Sequence, residues 1–122
     1  MSKTVYLVED STLLRTQIVR ALEETGVLTV IGFATRADVA LQEIAAIRPD
    51  VLVVDLQLEQ GTGWDVIEGS EGIAGRTMIL TNHGSEQFRA VAKERGIREF
   101  YDKTSEFDLF LQEVRSRPLN VS

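Results

Sequence analysis

The sequence predicts an α/β protein in which a parallel sheet is covered by helices on both sides. Short apolar segments alternate five times with stretches of helical periodicity, and this alternation is typical of consecutive β/α units. The segment Val51–Val54 is apolar throughout, follows Pro49 and ends at Asp55, which is the pattern of a central strand buried on both faces. The chain of 122 residues is 43% hydrophobic and 26% charged, so we expect residues 1–122 to form one domain.

Two β/α units precede the central strand. Residues 5–8 form the first predicted strand, and Ser11 caps a helix that closes near Gly26. Residues 27–34 form the second strand and residues 38–48 the second helix. The predicted buried faces are Leu14, Ile18, Ala21 and Leu22 in the first helix, with Leu13 and Val19 outside the stripe, and Ala37, Ala40, Leu41, Ile44 and Ile47 in the second.

Three further units follow. Glycines between residues 61 and 75 are assigned to loops, so the third helix, residues 64–68, is expected to be short. Residues 77–80 form the fourth strand, and Ser85 caps the helix after it. Residues 99–102 form the fifth strand. The last helix is expected to bury Phe107, Phe110, Leu111 and Val114.

Composition and charge exclude several classes of protein. The chain has no cysteine, which excludes disulfides, thiolate catalysis and cysteine-ligated metals. The formal net charge is −6, whereas non-specific binding to nucleic-acid phosphates needs clustered lysine and arginine. The first apolar run is too short for a signal peptide, and no stretch reaches the length of a membrane span. We therefore expect a cytoplasmic protein that binds neither nucleic acid nor membrane directly.

Polar side chains stand at the carboxyl ends of four predicted strands. They are Glu9 and Asp10 after the first strand, Asp55 after the third, Thr81 after the fourth and Lys103 after the fifth. The carboxyl ends of parallel strands share one edge of the sheet, where α/β proteins place their sites. Carboxylates that meet there repel one another and need a cation to stay ionised, and an all-oxygen set favours Mg²⁺. Such a set suits phosphoryl transfer, with Asp55 as the nucleophile that forms an acyl phosphate.

On these residues the chain resembles a response-regulator receiver domain of the chemotaxis-regulator type, over nearly its whole length. The family pattern is an acidic pair, a phosphoacceptor Asp, a Thr or Ser and a Lys after the first, third, fourth and fifth strands. These positions are occupied here by Glu9 and Asp10, Asp55, Thr81 and Lys103. The resemblance implies a flavodoxin-like, doubly wound sheet of five parallel strands in the order 2-1-3-4-5, with five helices.

The resemblance also implies roles beside the acceptor. The implied Mg²⁺ ligands are Glu9, Asp10, Asp55 and the backbone carbonyl of Gln57. Gln57, Asn82 and His83 occupy positions that tune the lifetime of the phosphoryl group in the family. Many relatives have proline after the lysine, often in a cis bond, whereas Thr104 follows Lys103 here, so the sequence leaves the state of that bond open.

Phe100 takes the position of the family's switch aromatic. In that mechanism Thr81 moves toward the phosphoryl group and the aromatic ring fills the space it leaves, which remodels the face made by the fourth helix, fifth strand and fifth helix. Because Phe100 and Tyr101 are neighbours on a strand, we expect one to face inward and the other outward.

The predicted function is a phosphorylation-activated signalling switch. Asp55 would accept a phosphoryl group, with Mg²⁺, from a sensor histidine kinase or a histidine phosphotransfer protein. The remodelled face would then control a downstream protein target, and it is also the candidate surface for dimerisation. The only chemistry expected is self-catalysed phosphotransfer and autodephosphorylation, so the protein is not predicted to be an enzyme. The chain reads either as a single-domain regulator or as the receiver fragment of a longer regulator whose output domain has been removed.

Two alternatives come from other classes. A Mg²⁺-dependent aspartyl phosphohydrolase of the dehalogenase type needs a second aspartate two residues after the nucleophile, where this chain has Gln57, and usually a cap domain. A flavodoxin-like binding module should offer serine, threonine or glycine to a phosphate after the first strand, where Glu9 and Asp10 would repel it.

Overall fold

The computed structural model describes residues 3–82 and 86–116, and in them five strands alternate with five helices. The elements are β1 (Lys3–Val8), α1 (Thr12–Glu23), β2 (Leu28–Ala34), α2 (Ala37–Ile47), β3 (Val51–Val54), α3 (Gly63–Gly69), β4 (Arg76–Thr81), α4 (Glu86–Glu94), β5 (Glu99–Asp102) and α5 (Phe107–Ser116). Each predicted element is present, with small differences at the boundaries. The predicted cap Ser85 and the candidate modulator His83 lie outside the described residues.

The sheet has the order β2-β1-β3-β4-β5, and every neighbouring pair is parallel. This confirms the predicted fold class and strand order. The direction of winding reverses between β1 and β3, and at such a switch point the carboxyl ends of the two strands open a crevice. All four residues of β3 are buried, as expected for a central strand whose two faces are both covered by helices.

Helices cover both faces of the sheet because successive strand residues point to opposite sides. Within β3, Val53 packs on the side of α1 and α5, and Val54 packs on the side of α2 and α3. Residues of α4 contribute to a third cluster, which contains Ala92, Ile97 and Phe100. The described part of the molecule therefore has a core on each side of one sheet. No helix in it approaches the length of a membrane span, since the longest, α1, has 12 residues.

The expectation that only one of Phe100 and Tyr101 faces inward is wrong. Their exposed fractions are 7% and 6%. Phe100 packs in the cluster that includes Ile79 and Ala92, and Tyr101 meets Phe110 of α5 edge-on at 5.6 Å between ring centres. Because β5 carries helices on both faces, alternation along the strand sends the two rings into different cores rather than to core and solvent.

Within the described residues, the predicted buried faces of the helices hold except at Val19 and Ile47. The hydroxyl of Ser11 accepts a hydrogen bond from the amide of Leu14 at 3.2 Å, so Ser11 caps α1 as predicted. Leu13 is 71% exposed, as expected, but Val19 packs against the core because the buried stripe of α1 is wider than predicted. Ile47 is 40% exposed, since it lies in the last turn of α2. The short α3 begins one residue earlier than predicted, at Gly63.

Candidate functional site

Asp55 lies directly after β3 and is 5% exposed. Its amide donates to the carbonyl of Val8 at 2.9 Å, which continues the pairing with β1 one residue past the strand. The first residue of α3, Gly63, lies close to the backbone of Asp55. A Cβ atom on Gly63 would lie 2.2 Å from the Asp55 carbonyl oxygen and 2.8 Å from the Cα of Leu56. Only glycine therefore allows this approach, and assigning Gly63 to a loop was wrong.

Glu9 follows β1 and is 1% exposed. Its amide donates to the carbonyl of Ala34 at 3.0 Å, and its carboxylate accepts a hydrogen bond from the amide of Ser11 at 2.9 Å. Burial raises the pKa of Glu9 above its usual value, and hydrogen bonds from Lys103 and Ser11 work in the opposite direction without cancelling it. Asp10, the next residue, is exposed to solvent. The acidic pair thus offers one buried and one exposed carboxylate.

Lys103 joins the ends of β1 and β3. Its amide donates to the carbonyl of Thr81 at 2.9 Å, which places the residue at the carboxyl end of the sheet. Its ammonium nitrogen lies 2.7 Å from a carboxylate oxygen of Glu9 and 2.8 Å from one of Asp55, and the lysine side chain is 8% exposed. Burial acts to lower the pKa of Lys103, but the hydrogen bonds to Asp55 and Glu9 outweigh it and raise that pKa.

The three acidic residues lie close enough to share one ion. Glu9, Asp10 and Asp55 each offer a carboxylate oxygen, and these three atoms lie within 4.8 Å of one another. Carboxylate oxygens are the donors that Mg²⁺ prefers, and an ion held by few protein ligands keeps several waters. The described residues therefore form an acidic cluster that could bind a metal, and the donor set fits Mg²⁺.

The remaining predicted site residues lie around this cluster. Thr81 is the last residue of β4 and is fully buried. Gln57 is exposed, and its amide donates to a carboxylate oxygen of Asp55 at 3.3 Å. Asn82 is exposed at the end of β4. No cis peptide bond occurs among the described residues, so the bond between Lys103 and Thr104 is trans.

A second ionic group, which sequence reasoning missed, lies where α4, β5 and α5 meet. The guanidinium of Arg89 is 4.8 Å from the centre of the Phe100 ring and donates to the Phe100 carbonyl at 3.2 Å. It also pairs with Glu106, whose carboxylate accepts a bond from the amide of Asp102 at 2.9 Å. The Asp102 amide, and then Arg89, lower the pKa of Glu106. Residues 17 positions apart form this pair, so no local pattern indicates it.

The comparisons with known proteins agree with this geometry. A family model described as the response regulator receiver domain matches residues 5–115. The chain is 33% identical over 64 residues to an uncharacterized response regulatory protein of Vibrio parahaemolyticus, covering 52% of this chain and 26% of that protein. It is 28% identical over 118 residues to the acid tolerance regulatory protein ActR of Rhizobium meliloti, covering 95% of this chain and 60% of ActR.

The fold also matches a solved structure. The response regulator domain of Thermotoga maritima CheB superimposes with a TM-score of 0.85 at 19% identity, covering 100% of this chain and 99% of that one. At this identity the likeness concerns the fold alone. The chain spans between 26% and 60% of the length of the two curated relatives described above, so their full activities do not transfer to it.

Proposed function

The chain belongs to the response regulator receiver domain family, and from this premise we propose that it accepts a phosphoryl group on Asp55. The donor would be a sensor histidine kinase or a histidine phosphotransfer protein. The observation that carries the proposal is the meeting of Lys103 with both Glu9 and Asp55, next to the exposed Asp10. In this proposal residues 1–122 act as one receiver domain.

The proposed step is an in-line transfer. A carboxylate oxygen of Asp55 attacks phosphorus, a P–O bond forms, and the P–N bond of the phosphohistidine breaks. The imidazole nitrogen leaves with the bonding electrons and takes a proton. The ammonium of Lys103, already within hydrogen-bond distance of Asp55, would neutralise a phosphoryl oxygen, and the hydroxyl of Thr81 would donate to another. Attack of water on phosphorus later releases inorganic phosphate and restores Asp55.

Mg²⁺ would be held by the following oxygens: the carboxylates of Glu9, Asp10 and Asp55 and the backbone carbonyl of Gln57. When bound, the ion would offset the negative charge that the acidic groups and the phosphoryl oxygens bring together. Lys103 and Ser11 hold the buried Glu9 carboxylate, and Lys103 and the amide of Gln57 hold that of Asp55, so Asp10 is the exposed carboxylate of the three. Gln57, Asn82 and His83 stay proposed modulators of how long the phosphoryl group survives.

The signal would leave through the face formed by α4, β5 and α5. Thr81 ends β4, and the register of β4 with β5 pairs Ile79 with Phe100, so the proposed switch threonine and switch aromatic lie on adjacent strands. Movement of Thr81 toward the phosphoryl group would draw Phe100 after it and break its contact with Arg89. That change would alter the surface seen by a downstream protein target. Dimerisation through this face and a cytoplasmic location stay predictions.

The test is phosphorylation by a small donor. The protein is incubated with acetyl phosphate and Mg²⁺, and intact mass counts the added phosphoryl groups. We expect one group on the unaltered chain and none on Asp55→Asn. Asp108→Asn, which removes an exposed aspartate from the first turn of α5, is the matched control and should be labelled normally.

Two results would reject the proposal. One is a native chain that takes up no phosphate with Mg²⁺ present, and the other is equal labelling of Asp55→Asn. Chelation of Mg²⁺ by EDTA should suppress labelling of the native chain. Labelling that continues in EDTA would reject the role proposed for the metal while leaving Asp55 as the acceptor.

A further inference from the structure

A side chain of α1 holds the peptide that joins Glu9 to Asp10. One guanidinium nitrogen of Arg15 donates to the carbonyl oxygen of Glu9 at 2.9 Å, and the other terminal nitrogen donates to the hydroxyl of Thr12 at 3.3 Å. The guanidinium also lies 4.2 Å from the centre of the Phe33 ring, on β2. Arg15 therefore ties the turn after β1 to both the following helix and the edge strand of the sheet.

This contact completes the set of hydrogen bonds that fix Glu9. Its amide donates to Ala34, and its two carboxylate oxygens accept from Lys103 and from the amide of Ser11. The carbonyl is the remaining polar group of the residue, and Arg15 donates to it. Because this carbonyl belongs to the peptide shared with Asp10, rotation of that peptide would change the direction in which the exposed Asp10 leaves the chain.

We propose that Arg15 is a positioning residue of the metal site: by fixing the peptide between Glu9 and Asp10, it keeps the Asp10 carboxylate where three acids can share one ion. The inference rests on the proposed function. Arg15 contacts the Glu9 carbonyl, Thr12 and Phe33. It is therefore one step removed from the carboxylates that would bind the metal and from the Asp55 oxygen that would be phosphorylated. Substituting a residue that holds a metal ligand without contacting the metal typically weakens metal affinity by 10- to 100-fold.

Whether Mg²⁺ binds more weakly or more tightly after Arg15 is substituted distinguishes a positioning role from a purely electrostatic one. Arg15 carries a positive charge near a cation site, so through-space repulsion alone predicts that removing it tightens metal binding. Loss of positioning predicts weaker binding. Arg20, an exposed arginine further along α1 that lines the same surface groove as Arg15 and Phe33, provides the matched control. Its removal takes away the same charge from the same helix and leaves the contact with Glu9 in place.

The experiment measures the Kd of Mg²⁺ for the full chain by calorimetry, without a phosphoryl donor. We expect Arg15→Ala to raise the Kd about tenfold. Arg20→Ala should leave it unchanged or lower it slightly, and Arg15→Lys, which can still donate one bond to the carbonyl, should recover part of the loss. An Arg15→Ala variant that binds Mg²⁺ as tightly as the native chain, or more tightly, overturns the proposal.

Kinetics separate positioning from general damage to the site. With acetyl phosphate as donor, Arg15→Ala should shift the half-saturating Mg²⁺ concentration by the same factor as the Kd and leave the rate at saturating Mg²⁺ unchanged. A lower saturated rate with an unchanged Mg²⁺ dependence would overturn the proposal. A native chain that is never labelled would defeat the proposed function instead, and the Kd comparison would still decide the role of Arg15.

A milder variant keeps the test valid if Arg15→Ala does not fold. Phe33→Leu preserves apolar bulk on this half-exposed position but removes the ring under the guanidinium. A raised Kd for Phe33→Leu supports the proposal, and an unchanged Kd for Phe33→Leu overturns it.

Discussion

Two of the groups of opposite charges that join separate elements in the described residues differ in burial. In the first, which we call the acidic edge (Glu9, Asp10, Asp55 and Lys103), the lysine side chain is 8% exposed and its two partners are 2% and 5% exposed. In the second, which we call the switch face (Arg89, Phe100 and Glu106), the paired side chains are 36% and 28% exposed.

The difference shows how one small domain can be rigid at its proposed acceptor site and adaptable at its proposed signalling face. A charge that loses its partner in a buried site has no water to replace it, so rearrangement there is costly. At a partly exposed site, water takes the place of the lost partner and the pair contributes little to stability. The acidic edge is therefore expected to keep its geometry, whereas exchanging the contacts of the switch face changes the free energy little.

The largest expected effect concerns the backbone of the acidic edge. Gly63→Ala places a Cβ atom 2.2 Å from the Asp55 carbonyl oxygen, so α3 or the strand end must shift. We expect the free energy of unfolding to fall by more than about 3 kcal/mol, above the usual range for overpacking, because the clash is with backbone. Gly75→Ala is the control, because its nearest neighbour, the Asp50 carbonyl, lies at an ordinary 3.7 Å. Urea denaturation measures both, and equal stability of the two variants would contradict the contact.

The second effect tests the buried charges. Lys103→Met leaves Glu9 and Asp55 without their shared cation, and we expect the free energy of unfolding to fall by about 3 kcal/mol in EDTA. Mg²⁺ should restore part of this loss, since an ion that binds only the folded state stabilises it. Lys93→Met, at an exposed position of α4, should change little. A Lys103→Met variant as stable as Lys93→Met in EDTA would remove the contrast between the two groups.

The smallest effect belongs to the switch face. Glu106→Gln should lower the free energy of unfolding by less than about 1 kcal/mol at neutral pH. Because the Asp102 amide and Arg89 lower the pKa of Glu106 in the folded chain, its contribution is present above the ordinary carboxyl pKa. It is lost as the pH falls through the lowered value, so the native chain and Glu106→Gln should converge in acid.

The matched control for this titration is Glu94→Gln, at an exposed position at the end of α4. Urea denaturation of the native chain and both variants at a series of pH values measures the convergence, and Glu94→Gln shows how much of it the loss of an exposed glutamate produces by itself. A difference between the native chain and Glu106→Gln that grows in acid would show that the direction of the pKa shift is wrong.

Several features of this protein could be predicted from short stretches of its sequence. The apolar run of Val51–Val54, the cap at Ser11 and the polar residues at the ends of four strands can each be recognised within a few positions, and the structure has them where they were predicted. The polar residues after the strands meet because all strands are parallel, so one property of the sheet brings Glu9, Asp55 and Lys103 to the same edge.

Other features depend on how the elements pack. Sequence alternation predicted that β5 has one outward ring, but helices on both faces bury Phe100 and Tyr101 alike. The need for glycine at residue 63 arises from the backbone that α3 approaches, and the spacing of glycines in the sequence does not distinguish Gly63 from a loop glycine.

The sequence by itself therefore determined the β/α alternation and the chemical identity of the residues at the strand ends, because both depend on periodicity and position within single elements. Only the tertiary structure decided that Arg15 holds the Glu9 carbonyl and that Arg89 spans Phe100 and Glu106. Long, flexible arginine side chains can reach several partners, and the choice among them is made by the distances that packing creates between elements.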